Sequence, residues 1–295
     1  MKILLLGKNG QVGWELSRSL QTLGEVTATG SSDVDLSDAT ALADRVRVLK
    51  PDVIVNAAAY TAVDKAESES DRARAINAEA PAVLAREAAA LDALLVHYST
   101  DYVFDGSGQL PRDELAATSP LSIYGATKLA GEQAITGSAC RHLIFRTSWV
   151  YAARGGNFAK TMLRLASERD QLKVVADQIG APTGADLIAD VTAQAIRRTL
   201  AQPALQGLYH LAAAGETSWF DYACHVIEWS RARGQAIKVA PEQIHAIATS
   251  EFPLPAKRPL NSRLDTRKLQ SAFDVHLPAW QWGVERMLTE VTGQA

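Results

Sequence analysis

Residues 2–6 read Lys-Ile-Leu-Leu-Leu and run straight into Gly7-Lys8-Asn9-Gly10-Gln11-Val12-Gly13, after which Val12, Leu16 and Leu20 recur every four residues. A short continuous apolar run bounded by glycine is the pattern of a strand buried on both faces, and the four-residue recurrence lays its residues along one side of a helix. In such a strand–turn–helix joint, glycines permit the tight turn, close approach of backbone to a pyrophosphate, and close packing of helix on sheet. The helix N-terminus, with unpaired N–H groups and the positive end of its dipole, then favours an anion without help from a cation. The plainer alternative is a glycine joint with no ligand. Its position after the first strand of a repeating series favours dinucleotide binding.

That series continues along the chain. Strand-like runs at 25–29, 52–56, 94–98 and 142–146 alternate with helical segments at 39–49, at a long helix ending in the Ala-rich stretch 82–91, and around 122–135. Strands alternating with helices predict right-handed βαβ units and a parallel sheet. The expected fold is therefore α/β, a Rossmann-like doubly wound parallel sheet joined to a smaller, interleaved α/β substrate domain. Residues 1–150 are assigned to the nucleotide-binding domain and 151–295 mainly to the substrate region, with elements around 172–212 expected to return to the first. A chain of 295 residues is long enough for both.

Thirty Lys+Arg against 33 Asp+Glu leave a charge of −3, without the basic excess that nucleic-acid binding requires. The first apolar run is shorter than a secretory h-region and no apolar stretch reaches ~18 residues, so neither a leader nor a membrane span is expected and the cytoplasm is the expected location. Cys140 and Cys224 are too few for a disulfide framework and lack metal-ligand spacing, which predicts two buried thiols.

Two further motifs carry chemistry. Tyr124-Gly125-Ala126-Thr127-Lys128 places a phenol and an ammonium at i,i+4 on one helix face, where the cation is expected to lower the phenol's pKa and make it a proton donor and acceptor. The segment 98–106, Tyr-Ser-Thr-Asp-Tyr-Val-Phe-Asp-Gly, follows the strand 94–98 at the carboxyl edge where open α/β sheets bind ligands. Thr100 there either bonds a substrate oxygen or merely closes a turn at the strand end. His97 is expected to be a satisfied core histidine, and Trp280 and Trp282 to be packing residues.

With the glycine turn, strand-end threonine and Tyr-x-x-x-Lys in this order, the chain resembles the extended short-chain dehydrogenase/reductase superfamily, and within it the dTDP-4-dehydrorhamnose reductase family. The resemblance is carried by 7–13, 56–67, 76–81, 99–106 (STDYVFDG), 120–132 (PLSIYGATKLAGE), 146–151 (RTSWVY), 156–158, 178–185 (QIGAPTGA) and 258–265, nearly the whole chain. It implies a catalytic Thr100, Tyr124 and Lys128. It also implies a nicotinamide cofactor held by Gly7, Asn9, Gly10, Gln11, Val12 and Gly13, by the loop Ala57, Ala58, Ala59 and Tyr60, and by Tyr124 and Lys128. A dTDP-sugar would be gripped by Thr100, Asp101, Tyr102, Tyr124, Trp149 and Asn157, with Arg258 a candidate for the diphosphate.

The reaction implied is reduction of dTDP-4-dehydro-β-L-rhamnose to dTDP-β-L-rhamnose with NADH or NADPH. Two rivals share the motifs: epimerases or dehydratases that recycle bound nicotinamide, and a nucleotide-binding regulatory subunit without turnover. The strand 25–29 is followed by Gly30-Ser31-Ser32 rather than by the carboxylate that usually bonds the ribose 2′-OH in NAD sites. Ser31 and Ser32 can donate to a 2′-phosphate while no Arg follows them, so both cofactors are expected, NADPH modestly preferred, with Asp35 and Leu36 lining the adenine. Some members of the family are implied to dimerise through a divalent cation such as Mg2+. Glu15 and Asp186 are acidic positions noted for it, with no metal site assigned and a homodimer left open.

Overall fold

Each buried strand run divides its side chains between two helical layers. In the computed structural model, which describes residues 1–293, the first half of the chain forms β1 (Lys2–Leu6), α1 (Gln11–Ser19), β2 (Glu25–Thr29), α2 (Ala39–Leu49), β3 (Val53–Asn56), α3 (Val63–Ala66), α4 (Ser70–Arg74), α5 (Ala80–Leu91), β4 (Leu94–Thr100), α6 (Ile123–Thr136) and β5 (Arg141–Thr147). Ile3, Leu5, Val53, Val55, Leu143 and Phe145 point into one core with Leu16 of α1 and Leu20 of the turn that follows it. Leu4, Leu6, Ile54, Leu95 and Ile144 point into the other, against Leu42, Val46 and Leu84 of α2 and α5. A strand with apolar residues in both registers can sit only between two covers, which is why the helices wind onto both faces.

The second half adds β6 (Val150–Tyr151), α7 (Phe158–Glu168), β7 (Leu172–Val175), β8 (Ile179–Gly180), β9 (Thr183–Gly184), α8 (Ala185–Ala201), β10 (Gly207–His210), β11 (Thr217–Ser218), α9 (Trp219–Ala232), β12 (Ile244–Ile247), α10 (Arg267–Phe273) and α11 (Trp280–Thr292). The central sheet has six parallel strands in the order β10-β5-β4-β3-β1-β2. Helix α8 returns to the first core through Ile188, Val191 and Ile196, and β10 pairs with β5. The run at 172–176 does not follow them. β7 pairs with β12 in a separate two-stranded sheet, because its burial alternates, with Lys173 facing out, and a one-sided strand does not fit a sheet covered on both faces.

A third core gathers Tyr151, Tyr222, Trp229, Trp280 and Met287 from the second half. Trp280 is buried there, but Trp282 is 61% exposed and is not packing as expected, since the helix turn that sends Trp280 inward sends Trp282 outward. Cys140 is buried and Cys224 only partly so, both free thiols. Among the described residues no helix is long and apolar enough to cross a membrane.

Candidate active site

The winding reverses between β1 and β3, and the crevice above their carboxyl ends is where such sheets take ligands. There the backbones nearly touch. Gly7 has φ +92°, and a Cβ on it would lie 2.7 Å from the Ala58 nitrogen; a Cβ on Gly13 would lie 2.0 Å from the Gly7 carbonyl oxygen. These two glycines are demanded by the chain itself. Gly10 meets nothing closer than 3.4 Å and stands as the N-cap of α1, whose first turn has neither a side-chain cap nor an acidic residue. Those unpaired N–H groups open onto a groove of about 1260 Å³. A dinucleotide phosphate fits that donor set.

The groove brings together most of the residues expected from the sequence. Gly7, Asn9, Gly10, Gln11 and Val12 line it with Ser31, Asp35 and Leu36, then Ala57, Ala58 and Ala59, then Thr100, Asp101, Tyr102, Tyr124, Lys128 and Trp149. Gly13 lies behind the wall, packed on Gly7. Tyr60 also stands back, its N–H bonded to Asn77 Oδ1 at 2.9 Å and its hydroxyl to Glu69 at 2.8 Å. Asn77 sits in the π-helical turn Ala75–Glu79 and donates on to Thr127 of α6, tying the 57–60 loop to the helix that carries Tyr124 and Lys128.

Helix α6 starts at Ser122, whose hydroxyl accepts from the Gly125 N–H. A Cβ at Gly125 would lie 2.2 Å from the Tyr102 carbonyl oxygen, so glycine lets the helix start press on the 101–103 turn. That contact sets Tyr124 edge-on to Tyr102 with ring centroids 5.5 Å apart. The helix is pinned one turn beyond Lys128 by a buried bidentate pair, Arg146 on β5 with Glu132, at 2.9 and 2.6 Å. Thr100 is both things the sequence left open: its Oγ1 accepts the Tyr102 N–H at 3.2 Å, closing the turn, and donates to Asp101 at 3.1 Å beside the groove.

The electrostatics depart from the expectation. Burial pushes Tyr124 up to about 12, with the Thr100 hydroxyl pulling the other way and Asp101 adding to the rise. Lys128 does not counter this, because its Nζ turns to β4, donating to the Tyr98 carbonyl at 2.6 Å and lying 3.3 Å from His97 Nε2. Burial lowers Lys128 to about 8, Glu132 opposing. Tyr124 is therefore a protonated acid throughout the neutral range rather than a phenol tuned downward. Asp101 is raised to about 6 by burial against the hydroxyls of Ser262 and Thr100.

A second, more apolar cavity of about 1090 Å³ adjoins the first, sharing Tyr102 and Trp219 with it. Its walls include Phe158, Met162, Val174 and Phe252, with Arg258 at one side. Trp149 is held at φ +49°, uncommon for a bulky residue, and stacks on Trp219 at 3.6 Å and 11°. Arg258 already grips Asp64 with both nitrogens, at 3.1 and 2.8 Å. Asn157 is on neither wall: its Oδ1 caps α7 through the Lys160 N–H and its Nδ2 donates to the Ala152 carbonyl.

Sequence reading missed Trp219, Arg72 and Gln178. Arg72 reaches the groove from α4, some forty residues after the serines where a cation was sought, and acts on Asp35 across it. Trp219 donates from Nε1 to the buried Gln178 at 3.1 Å, and the segment 178–185 was the available signal. Glu15 pairs with Arg18, and Asp186 with Arg286. Among the described residues no three His, Cys, Asp or Glu gather as a metal site within one chain.

Comparison with known proteins bears on this geometry. The family model described as RmlD substrate binding domain matches residues 1–292. The dTDP-4-dehydrorhamnose reductase of Salmonella typhimurium is 55% identical over 295 residues, covering 99% of this chain and 98% of that protein. Among solved structures, a dTDP-4-dehydrorhamnose reductase of Clostridium acetobutylicum matches with a TM-score of 0.89 at 36% identity, over 99% of this chain and 100% of the other. That of Bacillus anthracis, solved in complex with NADP, gives 0.88 at 34% identity, over 98% and 99%.

Proposed function

The chain belongs to the RmlD substrate-binding-domain family, that of the dTDP-4-dehydrorhamnose reductases, and from that premise we propose how its own residues carry out the reduction of dTDP-4-dehydro-β-L-rhamnose to dTDP-β-L-rhamnose. It is an NAD(P)H-dependent oxidoreductase acting on a dTDP-sugar. The observation that carries the mechanism is the place of Tyr124 with Thr100 and Tyr102, where the glycine-lined groove meets the second cavity. When bound, reduced nicotinamide supplies the hydride to the ketone carbon. Tyr124, kept protonated by burial, delivers its phenolic proton to the ketone oxygen as charge develops there. Thr100, its Oγ1 anchored by the Tyr102 N–H, would orient that oxygen by turning its one hydroxyl proton from Asp101 to it. Lys128, on the groove wall with its Nζ held by the Tyr98 carbonyl, would hold the nicotinamide ribose.

The groove is read as the nucleotide cofactor's site and the apolar cavity as that of the dTDP moiety, with Trp149, Trp219 and Tyr102 between them against the sugar. Arg258 reaches the diphosphate by exchanging Asp64 for it. At the adenosine end the absence of a carboxylate from 30–32, together with Ser31 and Arg72 on the wall, supports NADPH as the preferred donor with NADH accepted. Incubation with NADPH and dTDP-4-dehydro-β-L-rhamnose tests the reading: the expected result is stoichiometric loss of the reduced-nicotinamide absorbance with dTDP-rhamnose appearing by NMR. NADPH binding by calorimetry without any product would reverse it in favour of a regulatory nucleotide-binding protein.

A further inference from the structure

His97 is buried on β4 between two nitrogen donors. Its Nδ1 lies 3.2 Å from Asn56 Nδ2, and its Nε2 lies 3.3 Å from Lys128 Nζ. The orientation of the Asn56 amide is fixed independently, because Asn56 Oδ1 accepts the backbone N–H of Ala58 at 3.2 Å. A flipped amide would set its NH2 against that N–H. Asn56 therefore donates to Nδ1, and a neutral imidazole whose Nδ1 accepts must carry its proton on Nε2. Burial, reinforced by the charge of Lys128, holds His97 well below its ordinary pKa, so the doubly protonated ring is not an escape.

The Nε2–H then faces Lys128. An ammonium has three donors and no acceptor, so two donors would meet; a neutral amine can accept the His97 proton and still donate to the Tyr98 carbonyl. Protonating Lys128 requires the ring to move its proton to Nδ1, which gives up the bond from Asn56. We propose that His97 is a positioning residue which, with its tautomer set by Asn56, makes the amine of Lys128 the favoured partner and couples protonation of Lys128 to the loop entered from Asn56. The other charged group acting on Lys128 is Glu132, on the same helix, and its carboxylate is taken by Arg146 of β5; Tyr124 presents a neutral phenol, and β3 presents only the Asn56 amide. Burial acts on Lys128 in the same direction as His97.

The inference rests on the reading of Lys128 as part of the catalytic group, but its test reads Lys128 directly. In full-length protein labelled with [ε-13C]lysine, the Lys128 resonance, assigned by its loss in Lys128→Met, should titrate near 8. His97→Gln, whose side-chain oxygen can accept from the ammonium, and Asn56→Ala, which frees the ring to change tautomer without touching Lys128, should each raise that midpoint by about one pH unit. The 15N spectrum of wild-type histidines should show His97 passing from Nε2–H to Nδ1–H as Lys128 gains its proton. An unmoved Lys128 midpoint in both folded variants, or an Nδ1–H ring at all pH, overturns the proposal. A Lys128 midpoint that moves while the alkaline limb of the rate stays put sustains it, and removes Lys128 from catalysis instead.

Discussion

Replacing Tyr124 by Phe deletes one oxygen and little else. The ring keeps its edge-on contact with Tyr102 at 5.5 Å, and the fold loses a single hydrogen-bonding partner of Thr100, about 1 kcal/mol. Activity should respond differently. General acid catalysis contributes ~10²–10⁴, and the neighbours show where in that range this site falls. Thr100 is an alcohol, a far weaker acid than a phenol, and Lys128 donates to the Tyr98 carbonyl, so neither replaces the phenol as acid. The expected fall in the single-turnover rate is ~10³-fold, about 4 kcal/mol of transition-state stabilisation. The assay mixes enzyme and saturating NADPH with the keto sugar nucleotide in a stopped-flow instrument. NADPH affinity, read by fluorescence, and the urea midpoint serve as controls. A Phe variant that binds NADPH and turns over within ~10-fold of wild type would refute the assignment of Tyr124 as the acid.

Lys128→Met should change the pH dependence of stability. Because Lys128 titrates near 8 in the folded protein against an ordinary 10.5, the unfolded chain binds the extra proton between those values, so wild type gains stability as pH rises through that window, by up to about 3 kcal/mol. Equal urea-midpoint slopes for wild type and variant between those pH values would contradict this. For the cofactor, kcat/KM should favour NADPH over NADH modestly, and an NADH advantage above ~100-fold, about 2.7 kcal/mol, would overturn the reading of residues 30–32. Gly30→Asp should turn the preference toward NADH by at least ~10-fold through repulsion of the 2′-phosphate, the new Cβ displacing only the Asn9 amide 2.6 Å away; an unchanged ratio in calorimetric Kd values would place the ribose elsewhere. Arg258→Ala should weaken dTDP binding by about 1.5 kcal/mol, the low end for a charged hydrogen bond because Asp64 competes for the same fork. If calorimetry finds no loss, Arg258 only holds Asp64.

Much of the first half of the chain was legible in the sequence because its signals are local. Apolar runs in both registers at 2–6 and 53–55 leave a strand no choice but a doubly covered sheet, and Gly7 and Gly13 mark close backbone approaches that a side chain would block. The helical spacing of Tyr124 and Lys128 put both on one wall. What those residues do there depends on distant partners. The sequence pattern places Lys128 beside Tyr124, but only β4 shows that its Nζ turns to Tyr98 and His97 and leaves the phenol raised. Arg72 and Trp219 enter the site across forty and more residues, and Arg258 meets Asp64 from 194 positions away. Periodicity and turn chemistry are fixed within a few residues of chain. Protonation, pairing and the choice between a capping and a binding amide, as at Asn157, are fixed by burial and by whichever groups the fold folds back upon them.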